Sequence, residues 1–167
     1  LMGCAAGVSA AVYYVDTNSI GGVCSDSNPG TINQPWCTLG KANGVLQAGD
    51  TVNLRTGSYY ERIYPSNSGI AGAYITYKNY NGEQVNITGE YHGANLNGRE
   101  YINIDGLTIH NNTISVEILS GNYNIVRNCT IYHATEYYLT SVFPVACYRD
   151  TLLSSPFSKR GLGGFYK

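Results

Sequence analysis

The chain has 167 residues, which is enough for one domain of ordinary size. Only 13% of them are charged, 10 basic and 11 acidic, so no net field would attract nucleic acid or an anionic membrane. No stretch approaches the roughly 20 apolar residues that a transmembrane helix requires. The composition therefore excludes a nucleic-acid partner and a transmembrane segment, and its 16 tyrosines favour a protein built of strands and turns.

The first eleven residues are small and uncharged. Residues 1–11 look like the remnant of a signal peptide, with Val8-Ser9-Ala10 as the cleavage site. Acylation of Cys4, as in a lipoprotein, is the alternative, although Met2 is unusual where a small residue is expected. Both interpretations predict a secreted or cell-surface protein.

Residues 12–50 are predicted to form an N-terminal cap. Residues 12–15 favour a first strand, and a turn-rich loop between Cys24 and Cys37 follows. In a secreted chain these two cysteines would form a disulfide bond. A helix is predicted over residues 38–47, with Thr38 as its N-cap, and it would cover the open end of a stack of strands.

A sequence repeat dominates the second half of the chain. Residues 101–109 reappear as residues 123–131, so that Ile104 falls on Val126 and Leu107 on Cys129, 22 positions later. A period of 20 to 29 residues that is rich in β-branched side chains is typical of a solenoid, in which each repeat forms one coil. We expect Cys129 to be buried and unreactive, because it replaces an inward leucine.

Solenoid coils are predicted over residues 51–138, roughly four in number. Residues 85–89 resemble residues 102–106, which suggests a further repeat of 17 residues. Residues 139–167 lose the pattern and are interpreted as an irregular or non-native tail, with the solenoid truncated at its C-terminus. An open parallel edge would then allow self-association.

Several stretches in the first half resemble a known family. They include Tyr13-Tyr14-Val15-Asp16, Gln34-Pro35-Trp36-Cys37-Thr38-Leu39, Ala48-Gly49-Asp50-Thr51-Val52 and Tyr74-Ile75-Thr76-Tyr77-Lys78. In this order they are similar to the N-terminal region of the pectate lyase-like superfamily, which includes polysaccharide lyases of the chondroitinase B and alginate lyase type. The resemblance implies an all-β fold, a right-handed parallel β-helix (solenoid) with an N-terminal capping helix.

The resemblance also implies a function. Such lyases cleave acidic polysaccharides by β-elimination. A basic residue acts as the base, and Ca²⁺ or a second basic residue neutralises the uronate carboxylate. The acidic residues of this chain are scattered singly, so we expect no cofactor in this fragment, and Ca²⁺ only in a longer protein. We therefore predict the N-terminal part of a secreted polysaccharide lyase, itself inactive. The alternative is a non-catalytic carbohydrate-binding, adhesive or structural solenoid.

No catalytic residue is assigned, and the candidates that would face a substrate are weak. Asp105 and Arg127 align across the 22-residue repeat, and an exposed ion pair between neighbouring strands is their simplest interpretation. His110 and His133 each follow a strand and would flank a groove, although turn histidines without a role are commoner. Arg55 and Lys78 end earlier strands, where solvated side chains are expected.

Overall fold

The computed structural model describes residues 9–134 and the backbone of one further strand. These residues form helix α1 (Leu39–Val45) and twelve short strands. The strands are β1 (Val12–Val15), β2 (Thr51–Leu54), β3 (Gly57–Tyr59), β4 (Ile75–Asn79), β5 (Val85–Thr88), β6 (His92–Asn95), β7 (Ile102–Asp105), β8 (Thr108–His110), β9 (Ile114–Ile118), β10 (Ile125–Arg127), β11 (Thr130–Tyr132) and β12 (Glu136–Leu139).

The strands assemble into three parallel sheets. The first sheet has the order β1-β2-β4-β7-β10, the second has β3-β5-β8-β11, and the third has β6-β9-β12. Strands that are consecutive along the chain from β4 onward lie in different sheets, so each passage through the three sheets completes one coil. The described residues therefore form a parallel β-solenoid, as the sequence predicts.

The predicted 22-residue register is confirmed in the last two coils. Arg127 pairs with Asp105 in the first sheet, and Ile131 pairs with Ile109 in the second. Inward side chains stack coil upon coil and exclude water. In the first sheet the central column is Val52, Tyr77, Ile104 and Val126, and in the second it is Tyr59, Ile87, Ile109 and Ile131.

Two tyrosines belong to this core although they carry a polar group. The hydroxyl of Tyr59 lies 3.0 Å from the carbonyl oxygen of Val15 and 2.8 Å from that of Arg55, and the Tyr77 hydroxyl lies 3.1 Å from Asn43 Oδ1. Burial raises the pKa of both phenols, so they remain neutral donors. Each hydroxyl ties the coils to the N-terminal cap.

The capping helix is shorter than predicted, Leu39–Val45 rather than residues 38–47. The Thr38 side chain accepts a hydrogen bond from the backbone N–H of Lys41, as an N-cap residue does. The Glu61 carboxylate accepts two more, from the N–H groups of Leu39 and Gly40 at 3.1 and 2.8 Å. These contacts satisfy the first turn of a helix that two internal glycines weaken.

The loop before the helix is closed covalently. Cys24 and Cys37 are joined by a disulfide bond, with their Cα atoms 4.9 Å apart. Trp36, next to Cys37, is buried and stacks on Tyr13 of β1 with ring centroids 4.6 Å apart. The loop is thus attached to the first strand of the solenoid.

Two details of the predicted repeat are wrong. Residues 85–88 form β5 in the second sheet and pair with β8, so they are not equivalent to residues 102–105 of β7 in the first sheet. The described residues complete about three turns rather than four, because the first coil contributes to the third sheet only one bridge, between Ile63 and Ala94. Both strands β5 and β7 end in a glycine turn, which is why their sequences look alike.

Some predictions fall outside the described residues. These are acylation at Cys4, most of the signal remnant and its cleavage site, and the tail after residue 139. Within the part of the chain that the structure describes, no helix is both long and apolar enough to cross a membrane.

Candidate functional site

The outer face of the first sheet carries an open groove. Strand alternation turns two columns of side chains outward: Thr51, Thr76, Asn103 and Ile125 in one, and Asn53, Lys78, Asp105 and Arg127 in the other. The groove has a volume of about 460 Å³ and is lined by backbone turns and by residues that include Tyr74, Thr76, Asn103, Ile125 and Arg127. Its floor is therefore rigid sheet with polar side chains.

Asn103 lies in this floor and has an unsatisfied acceptor. Its side-chain oxygen is buried without a hydrogen-bond partner, and the residue is only 7% exposed. Its amide nitrogen has a single long contact, 3.5 Å to the hydroxyl of Thr76. A buried polar atom without a partner is costly.

Asp105 and Arg127 form the ion pair that their alignment suggests. Both Nε and Nη2 of Arg127 lie 2.9 Å from Asp105 Oδ2, and the amide of Asn128 donates to the other carboxylate oxygen at 2.8 Å. The Arg127 side chain is 49% exposed, so this pair adds little stability. It fixes the guanidinium at the rim of the groove.

Lys78 stands next to this pair on the outer face of the first sheet. It is opposite Asp105 in the register of β4 and β7, and it is exposed. No ion pair joins Lys78 to a carboxylate within residues 9–134, since Asp105 is taken by Arg127 and Asn128. The groove face therefore carries two cations and one carboxylate, a local excess of positive charge in a chain whose net charge is -1.

A row of tyrosines runs along the first sheet, and Tyr74 among them lines the groove. Tyr74, Tyr101 and Tyr123 each precede a strand of the first sheet, one per coil. The rings of Tyr101 and Tyr123 are stacked, with centroids 4.8 Å apart and planes 14° from parallel, and Tyr74 meets Tyr101 edge to face at 5.5 Å. Desolvation, together with Tyr123, Glu100 and Tyr74, raises the pKa of Tyr101, so its hydroxyl remains protonated.

The fold agrees with the comparisons to known proteins. Residues 13–142 match the family model described as Pel9A-like, right handed beta helix region. The chain belongs to this Pel9A-like right-handed β-helix family.

One curated protein and two solved structures are similar to this chain. The Pel9A-like chain is 37% identical over 112 residues to the uncharacterized protein YwoF of Bacillus subtilis (strain 168), covering 62% of this chain and 23% of that protein. The crystal structure of pectate lyase Pel9A superposes with a TM-score of 0.51 at 21% identity, over 76% of this chain and 42% of that one. A rhamnogalacturonan lyase gives 0.50 at 19% identity, over 75% and 43%. The chain thus spans less than half of the proteins that it resembles.

The two candidate histidines of the Pel9A-like chain lie away from the groove, on the second sheet. The His110 ring is stacked on Tyr132, with centroids 4.8 Å apart and planes 3° from parallel, and His110 Nδ1 is buried without a partner. His133 is exposed in a turn and meets Tyr132 edge to face. It occupies the position of Asn111 one coil earlier, and both residues have a positive φ near 55°. The structure does not bring the histidines together with Asp105 and Arg127.

The Arg55 side chain is largely buried, so the prediction that it is solvated is wrong. Its Nε lies 3.0 Å from Glu83 Oε2, and its Nη1 lies 3.8 Å from the buried Asp16. The hydrogen bond to Glu83 is the largest cause that raises the pKa of Arg55. Sequence reasoning missed this network because its members are far apart along the chain and belong to no motif.

A second polar cluster that sequence reasoning missed lies on the third sheet. Oε2 of Glu117 accepts hydrogen bonds from Asn95 at 2.7 Å and Asn97 at 2.8 Å, and lies 3.1 Å from His92 Nε2. The 22-residue spacing between Asn95 and Glu117 would have placed them side by side. The contacts of Glu117 with Asn95, Asn97 and His92 join two neighbouring coils. All four residues lie on the same face of the solenoid.

The described residues do not fit a calcium ion. Within residues 9–134 no group of three or more His, Cys, Asp or Glu side chains is placed to hold a metal. On the groove face, strands β2, β4, β7 and β10 contribute one carboxylate, Asp105, and it is paired with a guanidinium.

Cys129 is half-buried rather than buried as expected, with Leu107 of the preceding coil at the equivalent position.

Proposed function

We propose that the outer face of the first sheet binds an acidic polysaccharide, and that this chain is the N-terminal part of a secreted lyase. The observation that carries the proposal is the groove face, where Asn103 and Arg127 line the groove and the exposed Lys78 stands opposite Asp105 on the neighbouring strand. A uronate carboxylate would accept hydrogen bonds from the cations. Membership of the Pel9A-like family supports this choice of ligand.

The reaction proposed for the whole protein is β-elimination. A base removes the proton on C5 beside the uronate carboxylate, a double bond forms between C4 and C5, and the bond from C4 to the glycosidic oxygen breaks. The leaving chain then takes up a proton at that oxygen. Cations next to the carboxylate favour this step, because they stabilise the negative charge that develops on it. Within the described residues we assign binding to Lys78 and Arg127, and we assign no base.

The disulfide bond supports the location that we propose. Cys24 and Cys37 are joined in a loop that includes the exposed Val23, and such bonds persist in oxidising compartments. A protein that acts on large polysaccharides also has to meet them outside the cell. Both arguments support secretion or attachment to the cell surface.

The binding proposal can be tested with polygalacturonate as the ligand. We expect the 167-residue chain to bind it in calorimetry at low salt, and Lys78→Gln or Arg127→Gln to weaken binding about tenfold, one charged contact each. Binding should weaken as salt is added, because exposed charges are screened. Arg62→Gln is the matched control, since Arg62 stacks on Tyr64 away from the groove. If Lys78→Gln and Arg127→Gln bind as tightly as the control Arg62→Gln, the site is refuted.

Catalysis is tested in the same samples. We expect no unsaturated uronate product from the 167-residue chain, measured by its ultraviolet absorbance, even where binding is detected. Product release would show that the described coils hold a base after all. Binding without cleavage by a protein extended to the full length of its relatives would favour the alternative, a carbohydrate-binding surface solenoid.

Self-association stays a separate prediction. β10, β11 and β12 are the last strands of their sheets among the described strands, as β1, β3 and β6 are at the other end. Exposed parallel edges of this kind recruit further strands. We expect concentration-dependent oligomers in sedimentation velocity, and a monomer at all concentrations would contradict the prediction.

A further inference from the structure

The tyrosines beside the groove adopt a backbone conformation that is unfavourable for them. Tyr101 has a φ of 54° and Tyr123 a φ of 58°, both in the left-handed region. For bulky side chains this region is a genuine outlier, whereas Gly and Asn enter it readily. At the equivalent position of the first coil the chain has Gly49, with a φ of 91°. The turn itself therefore requires no tyrosine.

Core packing does not account for these side chains either. Tyr123 is 55% exposed, and Tyr101 is half-buried and in contact with its two tyrosine neighbours. A residue that strains the backbone and still leaves its ring in solvent contributes little to the core. Strained residues of this kind cluster where a protein holds a ligand.

We propose that Tyr74, Tyr101 and Tyr123, which we call the tyrosine wall, bind the sugar rings of the glycan in the groove. The proposal rests on the proposed function and adds the recognition of the uncharged part of the ligand. The phenol rings pack against the C–H faces of pyranose rings, chiefly by their edges because Tyr101 and Tyr123 are stacked on each other, and the hydroxyls exchange hydrogen bonds with sugar hydroxyls. Tyr74 belongs to the groove lining itself, so the tyrosine wall and the groove floor would contact the same glycan.

The spacing of the tyrosine wall sets the direction of the glycan. The three rings follow one another at 5.5 and 4.8 Å along the solenoid axis, one per coil. Asn103 and the cations Lys78 and Arg127 repeat along the same axis in neighbouring coils. A polysaccharide that runs parallel to this axis would meet both, with about one sugar residue per coil.

The test is Tyr123→Asn, because asparagine adopts the left-handed region at little cost and removes only the ring. We expect its Tm to be equal to that of the wild type or higher, while its affinity for polygalacturonate falls about tenfold. The same loss is expected with fully methyl-esterified polygalacturonate, the uncharged form of the same chain, and at low and high salt alike. Tyr123→Phe, which keeps the ring, should retain most of the affinity.

Tyr60→Asn is the matched control, since Tyr60 is an exposed tyrosine that follows a strand of the second sheet. It should leave both affinities unchanged. Unchanged affinity in Tyr123→Asn, or a lowered Tm, would overturn the proposal, because the ring would then be dispensable or would serve the fold.

The two polymers separate this proposal from the proposed function. If the esterified chain binds, loses affinity with Tyr123→Asn, and binds as tightly as the acidic one, the tyrosine wall stands and recognition of an acidic ligand fails. If the acidic chain alone binds and Tyr123→Asn binds it normally, the wall fails and the cationic site stands. Failure of both polymers to bind the wild-type chain would overturn both.

Discussion

Replacing Arg55 with methionine should lower the free energy of unfolding by about 3 to 5 kcal/mol. Methionine keeps much of the side-chain volume but leaves Asp16, whose side chain is 1% exposed, without its only nearby cation among the described residues. It also removes the bifurcated hydrogen bond from Arg55 Nε to the two carboxylate oxygens of Glu83, at 3.1 and 3.0 Å. Chemical denaturation followed by tyrosine and tryptophan fluorescence measures the change.

The matched control for this prediction is Arg62→Met. The Arg62 guanidinium lies 4.9 Å from the Tyr64 ring and forms no ion pair among the described residues, so the loss should be about 1 kcal/mol or less. Asp16→Asn combined with Arg55→Met should recover part of the stability, because it removes the isolated carboxylate. An Arg55→Met protein as stable as Arg62→Met would show that the buried network is not needed.

Removing the disulfide bond should cost about 3 kcal/mol, through replacement of Cys24 and Cys37 by serine. The two cysteines are 13 positions apart, and a loop of that size gains about this much from closure in the chain-entropy model. The neighbouring Trp36 stacks on β1, so its fluorescence should report loosening of the loop at lower denaturant than global unfolding. The control is Cys129→Ser, which leaves the loop closed.

A double variant as stable as the wild type would mean that hydrogen bonds alone hold the loop. Asp26 provides such bonds, since its carboxylate accepts from the N–H groups of Cys37 and Thr38 and from the Thr38 hydroxyl. Reduction of the wild-type chain under native conditions provides an independent measurement. Both routes should give the same loss of stability.

The repeat in the sequence predicted the last two coils correctly because the same residue types recur in the same order. The inward column of Ile104 and Val126, and the pair of Asp105 and Arg127, follow from the 22-residue shift alone. Alternation of inward and outward side chains then determines which residues face the groove. Of the candidate site, the pair of Asp105 and Arg127 could be predicted in this way.

The assignment of β5 could not be made from the same pattern. Strands of the first and the second sheet share inward aliphatic residues, outward polar ones and a following glycine, so Val85–Thr88 looks equivalent to Ile102–Asp105. The spacing between coils also changes, since Thr76 and Asn103 are 27 positions apart while Asp105 and Arg127 are 22 apart. Only the hydrogen-bond register distinguishes the two sheets.

The network of Arg55 and the tyrosine wall illustrate two other limits. Arg55 meets Glu83 across 28 positions and a coil of different length, so no periodic pattern predicts the contact. Tyr101 and Tyr123 were visible in the repeat, but their left-handed backbone was not, because sequence favours glycine or asparagine there. The strain that points to a role is a property of the folded chain.

The unequal spacing of the coils has a consequence for how this protein can evolve. The register of the first sheet stays in phase from β2 to β10 although the number of residues per coil changes, so the extra residues must lie in the turns. Insertions and deletions there can reshape the rims of the groove and leave its floor intact. Descendants of one ancestral solenoid could in this way diversify the polymers that they recognise while keeping the same columns of inward side chains.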